Sequence, residues 1–256
     1  MSTAKVNGIN INYKIEGEGE PLLLIGGWGS DVNMWRRQLP TFRKHFAVIV
    51  FDNRGSGKSD KPTGCYSMKE MADDAIGLMN YLKIDTANVL GYSMGGAIAQ
   101  EIAINYPQRA TKLILCNTAC CANADSGFTD EAKKLFGLPP LKHRMKLLSL
   151  VFDSPILRFT EFVRRSLKSN KASLKGYQAQ GAGIAQHNTL ERLHLIKSPT
   201  LVVVGTNDRL VLQSSSEVLA ARIPQAKLAK VKDGSHDMCF EQSKTFNAEV
   251  VDFLTS

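Results

Sequence analysis

Val89-Leu90-Gly91-Tyr92-Ser93-Met94-Gly95-Gly96 sets a serine between glycines, where an apolar run ends and a helix-forming stretch begins. Gly91-Tyr92-Ser93-Met94-Gly95 fits the pattern G-x-S-x-G, which between a strand and a helix holds the serine on a sharp turn with its hydroxyl exposed. Both flanks are present: residues 87–90 read as a strand, and residues 94–105 as a helix closed off by Pro107. Gly96, Ala97, Ala99 and Ala103 are small enough to let that helix lie close against a sheet.

Upstream of this turn the pattern is strand, loop, helix. Residues 5–13 spell two short strands about Asn7-Gly8, a strong hairpin signal. Leu22-Leu23-Leu24-Ile25 is a continuous apolar run, as expected of a strand buried on both faces, and it ends in Gly26-Gly27-Trp28-Gly29-Ser30. A glycine-rich loop at that place can carry backbone N–H groups into a site, and a helix is expected over about 31–39. Residues 46–51 form the next buried strand, followed by Asp52-Asn53-Arg54-Gly55-Ser56-Gly57-Lys58-Ser59. The Gly57-Lys58-Ser59 ending invites a phosphate-binding reading, which fails because the pattern requires glycine where the chain has Asp52. Residues 69–82 form an amphipathic helix with Met71, Ala75, Leu78, Met79 and Leu82 on one face.

Downstream, residues 112–116 make another buried strand, and the alternation then stops for about eighty residues. Leu141, Met145, Leu148 and Phe152 fall on one helical stripe and Ile156, Phe159, Val163 and Leu167 on another, the two separated by Asp153-Ser154-Pro155. This predicts a helical cap whose stripes pack on the core and whose Lys142, Arg144, Lys146, Arg164, Arg165 and Lys168 face water. Alternation resumes with strands over 200–204 and 226–231 and helices over 214–222 and 240–254. The fold class is therefore α/β, a mainly parallel sheet with helices on both faces and an inserted cap. The organisation expected is core over 1–120, cap over 121–190 and core over 191–256.

Composition sets wider limits. The chain has 256 residues, 43% hydrophobic and 22% charged, ordinary for a globular domain. No apolar run approaches the roughly 20 residues that span a bilayer, and the first residues lack a signal-peptide apolar core, so stable membrane insertion is not expected and a cytoplasmic location is. Cys65, Cys116, Cys120, Cys121 and Cys239 make no even disulfide framework, and Cys116-x-x-x-Cys120-Cys121 has no second Cys or His cluster to complete a metal site. The net charge of +8 raises the question of nucleic acid, but the basic residues are spread through helices with no basic arm or recognition motif, so no nucleic-acid partner is expected. The excess is uneven: residues 121–196 hold 12 Lys+Arg against 6 Asp+Glu.

A serine hydroxyl is a weak nucleophile and needs a base, which in turn needs an orienting acid. Behind a G-x-S-x-G turn the expected chain order is Ser, Asp or Glu, His. Asp208, four residues past the strand over 200–204, and His236, in Asp233-Gly234-Ser235-His236 after the last strand, lie at the strand ends where Ser93 sits. Asp125, Asp233 and Asp237 are rival carboxylates. His45 precedes a strand, and His143, His187 and His194 lie in or beside the cap.

With these residues in place the chain resembles the α/β-hydrolases over nearly its whole length outside the cap. The likeness rests on Gly91-Tyr92-Ser93-Met94-Gly95-Gly96, Asp52-x-Arg54-Gly55-x-Gly57-x-Ser59, Gly205-x-x-Asp208 and Gly234-x-His236 with Glu241 five residues on. Residues 91–118 and 189–204 look most like 3-oxoadipate enol-lactonases and related bacterial esterases. The resemblance implies Ser93 as nucleophile, His236 as base, Asp208 as acid and no metal or organic cofactor. The oxyanion hole falls to the backbone N–H groups of Trp28 and Met94. One departure stands out: relatives carry His-Gly where this chain has Gly26-Gly27, which puts the rigidity of that loop in question.

The expected activity is cleavage of a small-molecule carboxylic ester or lactone through an acyl-enzyme on Ser93. Carbon–carbon bond hydrolysis, thioester hydrolysis and perhydrolysis use the same triad, and a small-molecule receptor that keeps the fold is the alternative from another class. The basic excess over 121–196 adds the expectation of an acid-bearing substrate drawn in by charge.

Overall fold

The computed structural model describes residues 1–122, 127–138, 140–167 and 171–256. β1 (Ser2–Val6) and β2 (Ile9–Glu16) form the antiparallel hairpin, turning at Asn7 and Gly8 with φ of 48° and 81°. Two consecutive positive φ values match the turn to the twist of the strands, and Asn-Gly tolerates them. β3 (Glu20–Ile25), β4 (Phe46–Phe51), β5 (Ala87–Tyr92), β6 (Ala110–Cys116), β7 (Thr200–Gly205) and β8 (Lys227–Val231) complete an eight-stranded sheet in the order β1-β2-β4-β3-β5-β6-β7-β8. The hairpin joins antiparallel through β2 to β4, and every later pairing is parallel.

The apolar runs work as strands because their alternate residues serve two different cores. In β3, Leu23 and Ile25 enter the layer beneath α2 (Met68–Tyr81) and α3 (Met94–Asn105), whereas Leu22 and Leu24 join Trp35, Phe42 and Phe246 on the other face. Burying one such side chain contributes about 1.5–3 kcal/mol, so a strand buried on both faces is stabilised twice over by one short run. Residues 32–37, expected as an ordinary helix with 31–39, are a 3-10 turn capped by Asp31, and α1 (Leu39–Phe42) restarts the coil with Pro40 in its first turn.

Between β6 and β7 lie α4 (Asp130–Lys133), α5 (Pro140–Val151), α6 (Pro155–Leu167) and α7 (Lys171–Gln186). Leu148 and Phe152 of the first stripe read from sequence are buried as expected, whereas its Met145 and the second stripe are corrected here. On α5 the buried face runs through His143, Leu147, Leu148, Leu150 and Val151, while Met145 is exposed. On α6, Ile156, Phe159 and Val163 are exposed; the helix instead buries Glu161 against Arg36 and anchors Arg158 on the carbonyls of Phe152 and Asp153. The side chains of Leu141, Arg144, Arg164, Arg165 and Leu167, and all of Lys168, lie outside the described residues. Lys142 and Lys146 are exposed as expected, Lys146 pairing with Glu131.

After β7 come α8 (Gln213–Arg222), α9 (Met238–Glu241) and α10 (Ser243–Thr255), the closing helix being split at Gln242. Among the described residues no helix is long and apolar enough to cross a membrane.

Candidate active site

Ser93 joins β5 to α3 with φ 54° and ψ −118°, a region that L-residues rarely occupy. Close packing enforces this geometry. A Cβ on Gly95 would lie 2.0 Å from the Ile25 carbonyl oxygen, and one on Gly91 would lie 2.2 Å from the Gly95 oxygen. The serine hydroxyl thereby stands clear of the sheet edge, and Thr118 Oγ1 donates to the Ser93 carbonyl at 2.8 Å.

The structure brings Ser93, His236 and Asp208 together. His236 Nε2 is 3.0 Å from Ser93 Oγ, and its Nδ1 is 2.8 Å from Asp208 Oδ2. Asp208 Oδ1 accepts from the backbone N–H groups of Leu210 and Val211 at 2.8 and 3.0 Å, which fixes the carboxylate plane. Both His236 and Asp208 are almost wholly out of solvent. The rival carboxylates are elsewhere or otherwise engaged: Asp233 sits in a turn at φ 55°, Asp237 accepts from the Cys239 thiol, and Asp125 lies outside the described residues. His143 is held between the Leu135 carbonyl and the Tyr177 hydroxyl.

Asn117 is a supporting residue that the sequence reading did not identify. From a left-handed backbone at φ 45° it donates to the carbonyls of Ser235 and His236 at 3.1 and 2.6 Å, and its Oδ1 accepts from Gly205 N–H at 2.9 Å. One amide thus ties the histidine loop to the end of β7. Glu241 reinforces the same loop, accepting from the Ser235 hydroxyl and from the N–H groups of Asp153 and Ser154.

The Gly26–Ser30 loop lies beside the serine: a Cβ on Gly27 would be 3.4 Å from Ser93 Cβ. Met94 opens α3, so its amide is one of the helix-start N–H groups that have no acceptor within the helix. At Gly26, where the resemblance leads one to expect histidine, a Cβ would lie 2.6 Å from Ser30 Oγ and 2.8 Å from the Met34 sulfur. Those two side chains fill the space. The loop is instead pinned from above by α7, a helix not anticipated from the sequence. Trp28 Nε1 donates to the Tyr177 carbonyl at 2.7 Å, and the two rings stack with centroids 4.3 Å apart. Gly29 N–H donates to Gln180 Oε1 at 2.9 Å, while Gln180 Nε2 donates to the Arg54 carbonyl and Ser56 Oγ at 2.7 and 2.9 Å. Gln180 is fully buried and bridges two loops. The second of them is the Asp52–Ser59 turn, where Asp52 accepts from Val32 N–H, Lys58 N–H and the Asn12 amide, each at 2.8 Å; its role is structural.

Ser93 and His236 open into a cavity with a mostly apolar wall that includes Phe128, Leu135, Leu147, Val151, Leu210 and Val211. Among the described residues, none of those lining it is a lysine or arginine. His187 belongs to this wall, is 8% exposed, and its Nε2 has no hydrogen-bond partner among the described residues. Burial pushes its pKa down to about 4, outweighing the nearby Glu101 carboxylate. The sign of the resulting pH dependence follows directly. The unfolded chain takes up this proton near pH 6.5 and the native state only near pH 4, so stability is full above 6.5 and falls as pH drops toward 4. Between pH 7 and 4.5 the single residue accounts for a loss of about 2 kcal/mol. Urea midpoints of wild type and His187→Gln at the two pH values check this, the variant being expected to lose less on acidification.

A family model described as alpha/beta hydrolase fold matches residues 20–243. The 3-oxoadipate enol-lactonase 2 of Acinetobacter baylyi is 28% identical, over 97% of this chain and 94% of that protein. The enol-lactonase from Burkholderia xenovorans, 29% identical, superposes with a TM-score of 0.87 and full coverage of both chains. A meta-cleavage product hydrolase from Pseudomonas fluorescens, 26% identical, superposes with a TM-score of 0.89 over 100% of this chain and 97% of the other.

Proposed function

Because the chain belongs to the α/β-hydrolase family and is thereby a hydrolytic enzyme, we propose that it cleaves a small, uncharged carboxylic ester or lactone through an acyl-enzyme on Ser93. The observation that carries this reading is the hydrogen-bonded chain from Ser93 Oγ through His236 to Asp208, opening into an apolar cavity. In the reaction Ser93 Oγ attacks the carbonyl carbon while His236 Nε2 takes its proton, and the oxyanion is met by the N–H groups of Trp28 and Met94. The tetrahedral intermediate collapses, and His236 passes the proton to the departing alkoxide. Water then enters by the same base, attacks the acyl carbon and restores the serine. Asp208 holds the imidazole with its N–H on Nδ1 and stabilises the imidazolium. Residues 121–190 act as the cap that walls off the cavity.

The expectation of an acid-bearing substrate rested on the basic excess over 121–196, whose Arg144, Arg164, Arg165 and Lys168 side chains lie outside the described residues; the uncharged reading draws on the described wall alone. A carboxylate in the cavity would meet no lysine or arginine side chain among the described lining residues, and burying it unpaired is unfavourable. A second reading, hydrolysis of a carbon–carbon bond beside a carbonyl, draws on the similarity to the meta-cleavage product hydrolase. The test is a turnover panel of p-nitrophenyl butyrate, its carboxylate-bearing analogue mono-p-nitrophenyl succinate, a lactone and a vinylogous 1,5-diketone, at 0.05 and 0.5 M NaCl. The neutral ester or the lactone is expected to lead in kcat/KM at both salt levels. Preference for the succinate overturns the uncharged-substrate reading, and turnover of the diketone alone replaces ester cleavage with carbon–carbon cleavage.

A further inference from the structure

Of the polar side chains around the cavity, most have their donors committed. Ser30 Oγ donates to the Gly27 carbonyl at 2.7 Å, Thr118 Oγ1 to the Ser93 carbonyl at 2.8 Å and Trp28 Nε1 to the Tyr177 carbonyl at 2.7 Å. Tyr92 packs against His236, with ring centroids 5.3 Å apart, and so belongs to the serine end. His187 differs from these. Its backbone is fixed, the N–H donating to the Ile184 carbonyl and the carbonyl accepting from Ala122 N–H, so the ring is presented from a rigid position in the wall.

A purely structural histidine at this depth would have its ring nitrogens satisfied. The neighbouring carboxylate does not do this: Glu101 is taken up by Arg192 at 2.6 and 3.0 Å and by the Asn105 amide at 2.8 Å. Burying an unpartnered ring nitrogen is unfavourable, and a ligand oxygen placed at Nε2 would relieve that cost. Thr189, two residues beyond His187, donates its hydroxyl to Gln100 Oε1 at 2.5 Å, and Gln100 lies seven residues along α3 from Ser93, a rise of about 10 Å, so His187 enters the wall toward the far half of α3 and away from the serine.

We infer that His187 is a substrate-binding residue that donates its ring N–H to a second, uncharged oxygen of the substrate, such as a ketone or ether, at the end of the cavity away from Ser93. This rests on the ester-hydrolase reading for the kind of molecule that enters. The ring stays neutral over the working pH range, which suits a neutral acceptor.

The experiment separates the two readings by measuring binding without turnover. Ser93→Ala protein is titrated calorimetrically with methyl pentanoate, hexanoate and heptanoate, and with methyl 4-oxopentanoate, 5-oxohexanoate and 6-oxoheptanoate. At least one keto ester is expected to bind about five- to tenfold more tightly than its hydrocarbon match. In the double variants carrying His187→Leu or His187→Phe that preference should vanish, with hydrocarbon affinity and melting temperature held or raised, because an unpaired polar group has been removed. Equal binding of keto and hydrocarbon esters by Ser93→Ala protein, or a preference that survives in a folded apolar variant, overturns the inference. Hydrolysis of methyl hexanoate by wild type is followed separately. Its absence, with the keto preference intact, would count against the ester reading and leave His187 as a binding residue.

Discussion

Ser93→Ala is expected to lower kcat for ester hydrolysis by on the order of 10⁶-fold, as loss of the nucleophile from a serine triad does. The hydroxyl removed is the group bonded to His236 Nε2 at 3.0 Å, and among the described residues no other side-chain hydroxyl bonds that nitrogen. Stability should change little. Alanine keeps the Cβ and therefore the same strain at φ 54°, and the turn is held by Gly91 and Gly95 rather than by the side chain. Calorimetric melting within a few degrees of wild type, together with burst kinetics abolished, is the expected pair of results. Retention of even a tenth of wild-type turnover would remove Ser93 from the nucleophile role.

Asp208→Asn is the next largest effect, a fall in kcat of roughly 10⁴-fold. The environment dictates how the amide must sit. Two backbone N–H groups, from Leu210 and Val211, point at Oδ1, so the asparagine has to place its oxygen there and turn its NH₂ toward His236 Nδ1. An N–H facing Nδ1 forces the imidazole proton onto Nε2, where it can no longer accept the proton of Ser93. KM should move much less than kcat. Asp233→Asn, in a turn that asparagine tolerates at φ 55°, is the control and should stay within about threefold of wild type. Reversed results would show that the carboxylate had been assigned to the wrong strand end.

Much of the frame was legible because the strands that carry the site are buried on both faces. β3 and β7 carry continuous apolar runs, β5 is buried throughout and announced by the G-x-S-x-G turn, and the residues that follow these strands, Gly26-Gly27, Ser93 and Asp208, fall at one sheet edge by topology. The misses have physical reasons. α7 contains Gly176, Gly181 and Gly183, which lower helix propensity, yet each is where another part of the chain comes close: a Cβ would lie 2.3 Å from the Gly55 oxygen, 2.5 Å from the Trp28 ring and 1.7 Å from the Tyr66 oxygen, respectively. Local propensity was overridden by tertiary contact. Asn117 gave no signal, since its role depends on a left-handed backbone that composition does not announce. The stripe on α6 was correctly seen as apolar, but periodicity says which residues share a face and not which way that face turns.

The pinning of the Gly26–Ser30 loop by α7 bears on how freely this enzyme can exchange parts. Gly29 and Gln180 are 151 residues apart in sequence, and Trp28 and Tyr177 are 149 apart, so the loop beside Ser93 is shaped by a segment that would be discarded in a cap transplant. Here a foreign cap without glutamine at 180 and glycines at 176 and 181 would leave Gly29 N–H without its acceptor and would collide with Gly55 and Trp28. Cap and loop therefore form one inheritable unit, and recombination within the family should succeed for this chain only when residues 26–30, 52–59 and 176–183 travel together.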